Sequence, residues 1–437
     1  MTFGRSLRSA GSAFLAGSLI FLAAPSAAAD LVRQNQWVLE KLEAEKIWEI
    51  SQGEGVTVAV IDDGFDTKNQ DLRENLLKGK DFVDGGSVDP AEGDVHGTDM
   101  ASIIAAHGHG SQGRDGVKGL APKAKILPIR SDLSSGWADS IYYAVDQGAS
   151  VINISVWSSR GSSQDAEAMA YALEKDVLVV TASGNEGESG SIGYPGWYPG
   201  VLTVGAVDEE GEIWSKSNYG SEVMLTAPGV GILTPKAGNS GSAYHVSDGT
   251  SSSAAHVSAA AALIRAKYPD LTAGQVVNRL TKTAGLPDSA KGTSLPDEKY
   301  GYGYIRPLAA LTENIPAGSK YGPLKVPESL QSSSPESGSG GDSGSDSRAG
   351  SNNTLKRILV FVVAPVFLLL VVVTIVFVIV RIFRRKNNRT QTESGWHGSQ
   401  QGQPSPYGQA VPPGNTGGFP PQQQGSNQNQ SSGPWGP

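Results

Sequence analysis

From Val56 to Val207 the chain alternates short runs of branched apolar residues with longer stretches of helical spacing. VTVAVID (Val56–Asp62), AKILPIR (Ala124–Arg130), ASVINIS (Ala149–Ser155), VLVVTAS (Val177–Ser183) and VLTVGAV (Val201–Val207) read as buried strands. Between them DMASIIAAH, WADSIYYAVDQG and QDAEAMAYALEKD carry the helical period. Strands that are apolar on both faces and alternate with helices predict a doubly wound, mostly parallel sheet covered on both sides, an α/β fold. In such sheets chemistry gathers at the carboxyl ends of the strands.

Two apolar segments outside this region set the topology. The first 29 residues hold Arg5 and Arg8, an apolar stretch from Ala13 to Ala24 and small residues up to Ala29, the layout of a signal peptide cut before Asp30. Ile358 to Val380 contains no charge, and at about 1.5 Å per residue a helix of that length crosses a hydrocarbon core of about 30 Å. Arg381, Arg384, Arg385, Lys386 and Arg389 follow it, against Lys356 and Arg357 before it, so the positive-inside rule predicts a cytoplasmic tail. The expected organisation is a signal peptide (1–29), a catalytic domain (30–313), a Ser/Gly/Pro-rich stalk (314–357), a single transmembrane helix (358–380) and a Gln/Pro/Gly-rich cytoplasmic tail without a core (381–437). The expected location is the cell membrane, with the catalytic domain outside. The net charge of −8 provides no basic field for nucleic acid. The absence of cysteine excludes disulfides, thiolate metal sites and a thiol nucleophile.

Four side chains stand at predicted strand ends or helix starts. The first strand closes on Asp62. A helix opens with His96. VLVVTAS runs into Asn185, and another helix opens at Ser251. An acid, a base, an amide and a hydroxyl are the parts of an acyl-transfer site. A serine hydroxyl needs a base to take its proton, and His serves near neutral pH. A carboxylate orients the ring, and an amide donor holds the oxyanion, aided by the positive end of a helix. Three adjacent serines (251–253) precede His256. Five residues along a helix turn Ser251 and His256 apart, so His256 is predicted to be a packed histidine and not the base.

The segments VAVIDDG, HGTDMASIIAA, ASGNEG and DGTSSSAAHVSAAAAL, in this order, resemble the subtilase family of serine endopeptidases, over about Gln36 to Leu311. The resemblance implies Asp62, His96 and Ser251 as the triad and Asn185 as oxyanion donor. It also implies a peptide-binding cleft along Ser155, Val156 and Trp157 on one side and Ser183 and Gly184 on the other. The lead NQWVLEKLEAEKIWEISQGEG, the HGHG loop and the C-terminal apolar helix are similar to the mycosins, membrane-anchored subtilases of actinobacterial type VII secretion. That likeness implies a protein or peptide substrate and secretion-complex subunits as partners. Mycosins usually carry cysteines, which this chain lacks. Asp62 follows Asp30 by about thirty residues, too few for a separate inhibitory domain of ordinary size. The competing function is a scaffold that stabilises a secretion complex, with cleavage secondary.

Several positions depart from the family pattern. Ser252 and Ser253 replace Met-Ala, and Ala255 replaces a proline. Asp99 stands where many subtilases have His. It reads either as a first-turn acid favoured by the helix dipole or as a charge that raises the basicity of His96. Trp157 replaces a glycine and narrows the cleft, which predicts a selective protease. His107 and His109 lie in a glycine-rich loop with no carboxylate ligand nearby on a regular element, so no metal site is assigned to them. No cofactor is required, and no calcium-loop spacing is present.

Overall fold

The structure is a computed structural model that describes residues 32–90, 96–132, 136–236 and 244–331. Helices α1 (Trp37–Lys41) and α2 (Ala44–Trp48) lead into β1 (Thr57–Asp62) and the two-residue β2 (Lys80–Asp81). Helix α3 (His96–Ala105) is followed by a hairpin of β3 (His107–His109) and β4 (Asp115–Lys118), then by β5 (Lys125–Arg130). The alternation continues through α4 (Ala138–Asp146), β6 (Val151–Ile154), α5 (Ser163–Glu174), β7 (Leu178–Ala182), β8 (Val201–Val207) and β9 (Val223–Pro228). A second hairpin, β10 (Ile232–Pro235) with β11 (Tyr244–Ser247), feeds α6 (Thr250–Lys267), with α7 (Ala273–Lys282) and α8 (Pro307–Thr312) after it.

Seven strands form one sheet in the order β2-β5-β1-β6-β7-β8-β9, and every pairing in it is parallel. Alternate residues of one strand serve opposite layers, as the strand period requires. Val58 and Val60 of β1 join the core that contains α3 and α6. Ala59 and Ile61 join the core that contains Ile141 and Ala144 of α4 and Ala168, Met169 and Ala172 of α5. The sheet is thus sandwiched between two helical layers, as predicted. The five strands read from sequence lie where expected. Strands β2 and β9 were not legible, since two residues carry no period and the run Val223–Pro228 ends in proline.

Helix α6 is the centre of one layer. Ala254, Ala255, Val257, Ala259 to Ala262, Leu263 and Ile264 are all fully buried. A helix apolar around its whole circumference belongs inside a protein, and its short side chains let it lie close across the sheet. No helix among the described residues is long and apolar enough to cross a membrane. The predicted signal peptide, most of the stalk, the span 358–380 and the tail lie outside the described residues.

Candidate active site

The sheet order reverses direction at β1. The chain goes out to β2 and β5 on one side, then returns to add β6 to β9 on the other. A crevice opens at such a switch point, beyond the carboxyl ends of the two strands that flank it. Val60 of β1 is in register with Asn153 of β6. Asp62 and Ser155 each lie two residues further on, on neighbouring chains about 4.8 Å apart. Each of these residues carries a partner from the helical layer.

Asp62 carries His96. Its side chain is fully buried, and His96 Nδ1 lies 2.8 Å from Oδ1 and 3.0 Å from Oδ2. That contact commits Nδ1 as the donor and leaves Nε2 as the free ring nitrogen. Gly97 N–H donates to Asp63 Oδ1 at 3.0 Å, which pins the start of α3 to the end of β1. A Cβ on Gly97 would sit 2.4 Å from the Gly64 carbonyl oxygen and 3.0 Å from the Asp62 Cβ, so only glycine allows this approach. Burial opposes charge on the imidazole. Asp62, with Asp63 and Asp99 behind it, outweighs burial and lifts His96 to about 9. The ring is still 35% exposed, open on the side away from Asp62.

Ser155 carries Ser251. Ser251 Oγ donates to the Ser155 carbonyl at 2.9 Å, and Ser155 Oγ reaches back to the Ser251 carbonyl at 3.2 Å. Ser155 Oγ also donates to the buried Asn153 at 2.9 Å. Helices α3 and α6 pack against each other, yet among the described residues no hydrogen bond joins Ser251 Oγ to His96. The hydroxyl rests on the neighbouring strand. Of the three adjacent serines, Ser252 and Ser253 are buried, and Ser253 Oγ is committed to the Ala227 carbonyl at 2.9 Å. Ser251 alone is partly exposed. His256 is buried and bonds the Pro228 carbonyl at 3.0 Å. Burial lowers it to about 4, so it is neutral and, as its spacing predicted, turned away from Ser251.

Asn185 lies on the exposed turn after β7. Its Oδ1 accepts Thr250 N–H at 3.0 Å and Thr250 Oγ–H at 2.9 Å. A backbone N–H can only donate, so the amide oxygen must face Thr250, and Nδ2 remains the outward donor. Thr250 is a positioning residue that sequence reasoning overlooked, although its place in the Gly-Thr-Ser run was the available signal. The same holds for Asp63, adjacent to Asp62. Trp157 is 46% exposed and stacks on Gly193, where a Cβ would fall 2.6 Å from the indole. Ser158 and Tyr194 exchange two backbone hydrogen bonds of 2.9 Å, so the Trp157 and Gly193 segments form one wall. Ser183 and Gly184 are buried at the end of β7.

One reading is corrected. The HGHG segment is no open loop: His107–His109 forms a strand, and folding brings Asp71 to His109 Nδ1 from 38 residues away. Among the described residues no group of three or more His, Asp or Glu side chains is placed to hold a metal ion.

A parallel sheet with a carboxylate–imidazole pair and a serine-led helix at its switch point defines an α/β serine protease. Residues 53–303 match the Subtilase family, and the chain belongs to it. It is a subtilisin-like serine endopeptidase. It is 38% identical over 269 residues to subtilisin DY of Bacillus licheniformis, covering 59% of this chain and 92% of the relative. Among solved structures it is similar to MycP1 from Mycobacterium smegmatis, with a TM-score of 0.55 and 30% identity over 67% of this chain and 88% of that one. It is also similar to MycP1 from the ESX-1 type VII secretion system, with a TM-score of 0.56 and 29% identity over 66% and 89% of the two chains.

Proposed function

We propose that Asp62, His96 and Ser251 are the catalytic triad of a membrane-anchored, extracytoplasmic processing protease linked to type VII secretion. The observation that carries this reading is the His96–Asp62 pair at 2.8 and 3.0 Å on the strand beside the one that holds Ser251. Rotation about the Cα–Cβ bond of Ser251 takes Oγ from the Ser155 carbonyl to His96 Nε2. His96 accepts the hydroxyl proton, Oγ bonds the peptide carbonyl carbon, and the carbonyl electron pair moves onto oxygen. Asn185 Nδ2 and the Ser251 N–H hold that oxyanion, at the positive end of α6. The imidazolium, paired with Asp62, then gives its proton to the leaving amine. A water, deprotonated by the same ring, releases the acyl group.

Val156 and Trp157 run on past β6, and Ser183 and Gly184 past β7, so their backbones line an extended peptide on two sides. The indole of Trp157 fills space that a glycine would leave open, which makes the enzyme selective. The span 358–380 with its following basic cluster anchors the chain, and the likeness to MycP1 of the ESX-1 system supports the secretion link. A fluorophosphonate probe tests the assignment. The wild type labels and Ser251→Ala does not. Labelling of both, or of neither, overturns it. Secretion that persists in Ser251→Ala cells with cleavage lost favours the scaffold role instead.

A further inference from the structure

A second carboxylate–imidazole pair lies one helical turn beyond His96. Asp99 sits three residues on, so its side chain shares the face of α3 from which His96 projects. Asp99 is 4% exposed. Its Oδ2 meets His245 Nε2 at 2.9 Å, and Thr234 Oγ lies 3.4 Å from the same nitrogen. Thr234 belongs to β10 and His245 to β11. The strand β11 runs through Asp248 and Gly249 directly into the helix that carries Ser251. One half-buried contact therefore fastens the helix that starts with the base to the strand that delivers the hydroxyl. Neither the active-site chemistry nor the core requires it. Asp99 Oδ1 and His245 Nδ1 are both buried without a hydrogen-bond partner among the described residues. An apolar pair would fill this place at lower cost.

We propose that Asp99 and His245 are a positioning pair for His96: they fix the first turn of α3 against β11 and hold a negative charge behind the imidazole. The inference rests on the triad reading given above.

The charges around the pair are few. His245 and His96 act on Asp99, and Asp62, Asp63 and Asp99 act on His96. His256 of α6 faces the Pro228 carbonyl, Arg130 of β5 faces Asp81 and Asp84, and Lys118 of β4 covers the Trp48 ring. Burial pushes the Asp99 carboxyl up to about 6, and His245 works against burial to keep it ionised. Loss of Asp99 removes the charge from behind His96, and loss of either partner loosens the tie between the two elements.

The test is the rate of fluorophosphonate labelling of Ser251 against pH, on the full chain in detergent. It reads the basicity of His96 without a substrate. For Asp99→Asn the alkaline midpoint falls by about half to one pH unit, the size of one screened charge a helical turn away, whereas His245→Ala keeps the carboxylate and acts on the plateau. The plateau rate falls about 3- to 10-fold, and KM for a cleaved peptide stays unchanged. His245→Gln, whose amide still donates to Asp99, brings the plateau back toward wild type. A plateau within twofold of wild type in both variants overturns the proposal, as does an unchanged or raised midpoint in Asp99→Asn. Should Asp99→Asn fail to fold, judged by circular dichroism, His245→Ala on the partly exposed strand decides alone. Absence of labelling in the wild type would instead refute the triad reading.

Discussion

On the proposed triad, the carboxylates beside His96 set both activity and pH dependence. A base works only when unprotonated, and acid groups that lift the imidazole to about 9 delay that state. kcat/KM is therefore expected to rise through the alkaline range, with Asp62→Asn moving the midpoint down and lowering kcat about 10⁴-fold through loss of the ring's orientation. Stability runs the other way. The raised value in the folded state means the His96–Asp62 pair stabilises fully below the ordinary imidazole range and fades as pH rises through about 9. A thermal melt of Ser251→Ala against its Asp62→Asn double variant, at pH 6 and pH 10, should show the larger gap at pH 6. Asn185→Ala should lower kcat about 10²–10³-fold, the loss found for one oxyanion donor in a subtilisin. Thr250→Val leaves Asn185 present but unanchored, so it should cost less than Asn185→Ala and show in kcat, not KM. The four candidate site residues were legible as candidates because each is a reactive type at an element end. Thr250, and the hold of Ser155 on Ser251, were harder, because holding another residue leaves no chemical signature in sequence. His245 was invisible: its partner Asp99 is 146 positions away.

The elements behave as their patterns predicted wherever a strand or helix is long enough to show a period. Helix α6 is packed with alanines against the sheet and α3, so a larger side chain at Ala260 has no space. Ala260→Leu should destabilise by about 1–3 kcal/mol in denaturant titration, with the slope unchanged. Helix α7 opens with a capping box. Thr272 Oγ accepts Gln275 N–H at 3.3 Å, and Gln275 Oε1 accepts Thr272 N–H at 3.0 Å. Thr272→Ala should cost about 1 kcal/mol, read as a lower Tm with labelling of Ser251 retained. The helix packs on α6 and α8 and carries none of the candidate site residues, which separates a stability effect from a catalytic one. The hairpins were missed or misread for a physical reason. Strands such as His107–His109 are defined by the partner they find, not by their own residues.

For the whole molecule, Trp157 and the membrane span carry the predictions. Trp157→Gly should widen the substrate range on a mixed peptide library while leaving the labelling rate within about threefold. The natural absence of cysteine makes topology easy to read. A cysteine introduced as Gly340→Cys should react with an impermeant maleimide on intact cells, and Gly414→Cys only after permeabilisation. The reverse result would place the protease domain in the cytoplasm. The sequence by itself determined the sheet, its two helical layers and the residue types of the site, because burial on both faces and chemistry at element ends are written locally. Tertiary structure alone decided which residues meet: Ser251 with Ser155, Asn185 with Thr250, Asp71 with His109, Asp99 with His245. Strand order and the packing of helices α3 and α6 bring these pairs together, and no local period encodes a contact between residues scores of positions apart.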